Sequence, residues 1–97
     1  MARYAYVNDT GTTTVQSSGG LTLRRLVVGS VPAGQSPAVV TIFDSPEGSG
    51  EVVADLQFGP SSDGYLGAGV YEFDATLANG LTVTQAQGGV SLTLIYE

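Results

Sequence analysis

The 97 residues include no cysteine, no histidine, no lysine and no tryptophan. Without cysteine there is neither a disulfide framework nor a thiolate metal site, and the redox compartment leaves no mark on the sequence. Without histidine or lysine, the abundant serines lack the usual bases that would make one of them a nucleophile. Positive charge is almost missing: three arginines stand against nine acids, for a net charge of −6. No basic stripe exists to displace counterions from a phosphate backbone, which argues against nucleic acid, and the same sign disfavours anionic membrane surfaces. The charge suits solubility or docking onto a basic surface. No apolar run approaches membrane-spanning length. Met1-Ala2-Arg3-Tyr4 opens without the apolar segment of a signal peptide, so a chain made and kept in the cytoplasm is the expectation.

Helical periodicity is also absent. Fourteen glycines and four prolines interrupt every run before a helix could nucleate and propagate. What is present is a series of short β-branched and aromatic runs separated by Gly, Pro, Asn, Asp and Ser clusters, the pattern of strands and turns. Eight strands are expected, over 3–7, 12–16, 21–29, 38–43, 51–58, 70–77, 81–85 and 90–96. The fold class is therefore all-β: about eight short antiparallel strands in a jelly-roll or Greek-key β-sandwich, as one domain spanning 1–97. An apolar fraction of 42% and a mean hydropathy of +0.18 are high for so small a chain, and subunit contacts are one place to hide the excess.

Three strands permit finer reading. Leu21 and Leu23 share one parity, Leu26 and Val28 the other, and a β-bulge at Arg24-Arg25 would return both pairs to the core with at least one arginine outward. In 51–58, Val52, Ala54, Leu56 and Phe58 alternate inward against Glu51, Asp55 and Gln57. In 90–96, Val90, Leu92, Leu94 and Tyr96 face in, leaving Ile95 on the opposite face. Asn79-Gly80 reads as a hairpin turn. A three-residue loop, Ala78-Asn79-Gly80, would pair Leu77 with Leu81 and Ala75 with Val83, with Gly80 left-handed.

Few constellations could carry chemistry. Gly64-Tyr65-Leu66-Gly67-Ala68-Gly69 is glycine-rich, but no Gly-Lys-Ser/Thr follows it. Glu72 and Asp74 share a strand face, as a carboxylate pair would, yet a solvated face that blocks edge pairing accounts for them better. Asp44, Glu47 and Glu51 border one loop and Asp63 sits in another. Their oxygens suit Ca²⁺, but no EF-hand spacing is present and acidic turn residues serve turn formation. No catalytic residue, metal ligand or cofactor is expected, and the chain is read as a non-enzyme. The candidate interface residues are Tyr4, Tyr6, Arg24, Arg25, Tyr65, Leu66 and Ile95. For Tyr4 and Tyr6, half-buried strand packing is the favoured alternative. Tyr65 and Leu66, in a small polar loop, have no evident local core to join.

Gly69-Val70-Tyr71-Glu72-Phe73-Asp74, Leu77-Ala78-Asn79-Gly80-Leu81-Thr82-Val83 and Gly89-Val90-Ser91-Leu92-Thr93-Leu94-Ile95-Tyr96-Glu97 together resemble the C-terminal third of small tailed-phage virion structural proteins. Such proteins are often capsid decoration, or cement, proteins with jelly-roll folds. The resemblance implies a homo-oligomer, a trimer, on the capsid surface of the virion, made in the host cytoplasm, stabilising the head by bridging major capsid protein subunits. A second reading is a receptor- or carbohydrate-binding β-sandwich module of a phage fibre or tail. Exposed apolar residues on a strand face would favour a subunit interface, and aromatics gathered among loops at one end would favour a sugar site.

Overall fold

The computed structural model describes residues 3–8, 10–31, 38–59, 64–86 and 90–97. Eight strands follow one another: β1 Arg3–Val7, β2 Gly11–Gln16, β3 Leu21–Ser30, β4 Ala38–Asp44, β5 Glu51–Phe58, β6 Gly69–Leu77, β7 Leu81–Gln85 and β8 Ser91–Tyr96. They form two antiparallel four-stranded sheets, β1-β8-β3-β6 and β2-β7-β4-β5. Only the β4–β5 connection stays within one sheet; every other one crosses to the opposite sheet. This is a jelly-roll β-sandwich, as expected from the spacing of strands and turns.

The core is the alternate set of side chains on the two inner faces. Leu21, Leu23, Leu26 and Val28 from β3 meet Val40 and Ile42 from β4, Leu81 and Val83 from β7, and Leu92 and Leu94 from β8. The β3 bulge lies where the leucine parity changes. Pairing to both neighbours shifts between Leu23 and Arg25, leaving Arg24 and Arg25 exposed with the four apolar residues around them buried. On the β6 side the same irregularity places Phe73 and Asp74 opposite Arg24, and Asp74 adopts φ +50°. Asp and Asn tolerate this left-handed conformation better than other side chains. Asp74→Gly should leave thermal stability within about 0.5 kcal/mol of wild type, whereas Asp74→Val should cost about 2 kcal/mol. Equal losses from both would mean that the Arg24 ion pair, and not the backbone, makes Asp74 matter.

Three expectations are corrected. Asn79-Gly80 does not close a hairpin. Leu77 pairs with Leu21 in one sheet and Leu81 with Gln16 in the other, so 78–80 is a corner between sheets. A turn signal says that the chain reverses, without saying which strand it next pairs with. Gly80 does have a positive φ, at +143°. Val52 is 51% exposed, because β5 carries its own irregularity: Ile42 pairs with Ala54 but Phe43 with Val52, and Val53 packs against the core instead. Tyr4 and Tyr6 are not half-buried, being 79% and 62% exposed. Expected turn residues at 9, 32–37 and 87–89, and Asp63 with its neighbours at 60–62, lie outside the described residues.

Candidate functional site

The two sheets present very different outer faces. That of β2-β7-β4-β5 is rich in threonine and partly roofed by the chain itself. The β4–β5 loop folds back over it: the Thr82 hydroxyl donates to the Ser45 carbonyl at 2.8 Å and the Thr14 hydroxyl to the Pro46 carbonyl at 3.3 Å. Gly48 sits so close that a Cβ there would come within 3.1 Å of the Thr84 methyl and 3.2 Å of Thr12. Thr82 has no exposed surface as a result.

The outer face of β1-β8-β3-β6 is open and carries an apolar patch bordered by ion pairs. Register places its side chains in two rows across all four strands. Tyr4, Ile95, Arg25 and Glu72 lie opposite one another in one row, and Tyr6, Thr93, Val27 and Val70 in the next. Tyr4, Tyr6 and Val70 are exposed, while Ile95, Thr93 and Val27 are partly exposed between them. Single surface apolar residues are ordinary, but a contiguous patch across a sheet marks a contact surface. Of the seven candidate interface residues, Tyr4, Tyr6, Arg25 and Ile95 come together here. Arg24 lies beside them at the bulge.

Two arginines hold the three acids of this face. Arg24 binds both Glu97 and Asp74, the latter at 3.2 Å, and Arg25 lies 3.6 Å from Glu72. The guanidinium of Arg24 is held above its ordinary pKa, first by the hydrogen bond to Glu97 and then by that to Asp74. A raised cation contributes its stabilising charge in full at any pH below its unfolded value, and that contribution is lost only as pH rises through the folded value. Glu72 and Asp74 are thus exposed, ion-paired acids of the edge strand β6, in keeping with a solvated face. Arg3 stays at the sandwich rim, its guanidinium 4.7 Å from the Tyr96 ring centre and donating to Gln16 Oε1 at 3.2 Å.

Tyr65 and Leu66 lie elsewhere, and the expectation that they lack a local core is corrected. Leu66 packs against the main core and exchanges backbone hydrogen bonds with β5, its N–H to the Gln57 carbonyl and its carbonyl from Gly59 N–H. The Tyr65 ring covers Gly59 so closely that a Cβ there would come within 2.9 Å of it. Sequence reasoning missed Val27, Val70 and Thr93. The outward parity of Val27 and Thr93 follows from alternation within their own strands, but only the pairing of β3 with β6 and β8 brings them beside Val70 in one patch.

An open depression of about 550 Å³ lies between the β2–β3 turn, the β4–β5 loop and the 78–80 corner. It is lined by small polar residues with Asp44 and Glu51, and no aromatic borders it. Asp44 is already engaged: its carboxylate accepts from the backbone N–H groups of Ala78 at 3.1 Å and Asn79 at 2.8 Å. Among the described residues, no three acidic side chains gather where a metal ion could be held. The exposed aromatics therefore lie on a sheet face, not among loops at one end, which is the arrangement of a contact surface.

Fold and surface together define a jelly-roll β-sandwich with one open apolar face. No protein-family model and no curated protein matches the chain. Among solved structures, the core of Drosophila NLP superposes over 100% of this chain and 96% of its own, with a TM-score of 0.62 and 10% identity; that structure is described as giving insight into pentamer formation and histone binding. At this identity the likeness shows the shared fold. It also corrects the functional expectation. The jelly roll here is shared over the whole chain with a core described in terms of pentamer formation and histone binding. The capsid decoration role, with its trimer on a major capsid protein, rested on resemblance in hairpin-like residues, and those residues form no hairpin.

Proposed function

We propose that this chain is a non-catalytic binding module that assembles with copies of itself and offers its acidic side to a basic protein partner. The observation that carries this reading is the segregation of charge. All three arginines lie on the β1-β8-β3-β6 sheet, as do three of the nine acids, Glu72, Asp74 and Glu97 at its C-terminal end. Subtracting these balanced three from nine leaves six acids, equal to the whole net charge of −6. Four of the six, Asp44, Glu47, Glu51 and Asp55, belong to β4, β5 and the loop joining them. A body with little net charge on one sheet and an acidic β4–β5 side draws polycations to that acidic side. That the Drosophila NLP core has been described in terms of pentamers and histone binding supports both halves of the reading.

Fluorescence titration with a lysine-only peptide of about 20 residues tests it. Binding is expected at low ionic strength, weakening steeply as salt shortens the screening length below about 10 Å. A Glu47→Gln/Glu51→Gln/Asp55→Asn variant should bind at least about tenfold more weakly, since it removes half of the unbalanced acids. Absence of binding at low salt, or equal binding by the variant, would overturn the acidic-docking role.

A further inference from the structure

We infer that the outer face of the β1-β8-β3-β6 sheet is the seat of a second copy of this chain. The inference rests on the self-assembly half of the proposal above and says which surface performs it. Three observations choose the occupant. The first is charge. Two copies that each carry −6 repel one another, so a contact between them must avoid the β4–β5 side. On this face all three acids are held by Arg24 or Arg25, so each copy brings a net charge of only −1 (two arginines less three acids) to such a contact, against −6 for the whole chain.

The second is area. Four strands, each taking up about 4.8 Å of the sheet's width, cover about 19 Å. Their lengths of 5, 6, 10 and 9 residues average about 25 Å at about 3.3 Å per residue. Each copy then contributes roughly 500 Å², and the pair roughly 1,000 Å², which is where specific interfaces begin. The third is composition. Tyr4 and Tyr6 are rigid amphipathic side chains of the type that anchors interfaces, and they flank the aliphatic centre of Ile95, Val27 and Val70 with Arg25 beside it. The opposite sheet offers no equivalent, because the β4–β5 loop lies across it.

Light scattering across a concentration series, on the full chain, tests the assignment. Wild type should exceed the monomer mass. Tyr4→Ser/Tyr6→Ser should dissociate at a concentration at least about 100-fold higher, reckoning about tenfold for each anchor lost. Both tyrosines are exposed in the single chain, so its denaturation midpoint extrapolated to low concentration should not move. Ile95→Asp should act in the same direction, and Val52→Ser, on the other sheet and 51% exposed, should change nothing. A wild-type monomer up to about 1 mM, an oligomer insensitive to the tyrosine pair, or one broken by Val52→Ser would each overturn the inference. Lysine-peptide binding by the tyrosine variant separates the two proposals. Retained binding with an unmoved oligomer sinks the face alone, whereas lost binding with a responsive oligomer sinks the acidic docking alone.

Discussion

Replacing Gln85 with glutamate should destabilise the sandwich by about 3 kcal/mol at pH 7, most of it recovered on acidification. Gln85 is the last residue of β7 and only 2% exposed. Its side-chain N–H₂ donates to the Val90 carbonyl at 3.1 Å, closing the passage from β7 to β8. Its Oε1 has no hydrogen-bond partner among the described residues. The site thus needs a donor and tolerates an idle acceptor. A carboxylate inverts this, setting a buried negative charge against the Val90 carbonyl. Burial pushes such a carboxyl above its unfolded pKa of about 4.3. The penalty is therefore complete above the folded pKa and fades as pH falls through it, because the protonated acid can again donate. At about 4–8 °C per kcal/mol for a chain of this size, the melting temperature should fall by about 12–24 °C at pH 7 and approach that of wild type near pH 4. Gln85→Met removes donor and idle acceptor together and should cost about 1 kcal/mol at every pH. Thermal melts of both variants from pH 4 to 8 check this; a pH-independent loss in Gln85→Glu would show that water reaches the site.

The second large effect is at the corner between sheets. Gly80→Ala should cost about 3 kcal/mol, from backbone conformation and collision together. With φ at +143°, any side chain is strained there, and a Cβ would lie 2.7 Å from the Gln16 carbonyl oxygen and 3.2 Å from backbone atoms of Ser45 and Pro46. None of these is the movable tip of a side chain, so relief requires shifting the β2 end or the β4–β5 loop. Gly11→Ala is the matched comparison. Its φ is +112° and nothing lies within 4 Å of the added carbon, so only the conformational cost of about 1 kcal/mol applies. Urea unfolding of the two variants should therefore differ by about 2 kcal/mol. Equal losses would mean that the corner opens freely and that Gly80 serves conformation alone.

Strand positions were legible because each strand carries its own evidence. Turn residues stop the run and alternation marks the buried face, so all eight strands lie within a residue or two of their expected bounds. The β3 bulge was legible for the same reason: the change of parity between Leu23 and Leu26 is written in one strand, and only an extra residue reconciles it with one core. In β5 the run Val52-Val53-Ala54 hides the shift, since adjacent valines satisfy either parity. The resemblance that named a capsid role leaned on Asn79-Gly80, where local chemistry is indifferent to the partner strand. For the candidate site, residue type pointed to Tyr4, Tyr6, Arg25 and Ile95, but nothing local linked them to Val27 and Val70.

The sequence by itself determined the all-β class, the eight strands, the core-facing side chains of β3 and β8, the bulge at Arg24-Arg25 and a net charge without lysine or histidine. These properties follow from backbone preferences and burial within single strands. Tertiary structure alone decided that 78–80 turns a corner between sheets, that Leu66 joins the main core, that the β4–β5 loop roofs one sheet, and that arginines and their acids meet on the other. Each of these depends on which distant strands become neighbours. That pairing is set by the combined burial of all the inner faces at once, a quantity that no single segment contains.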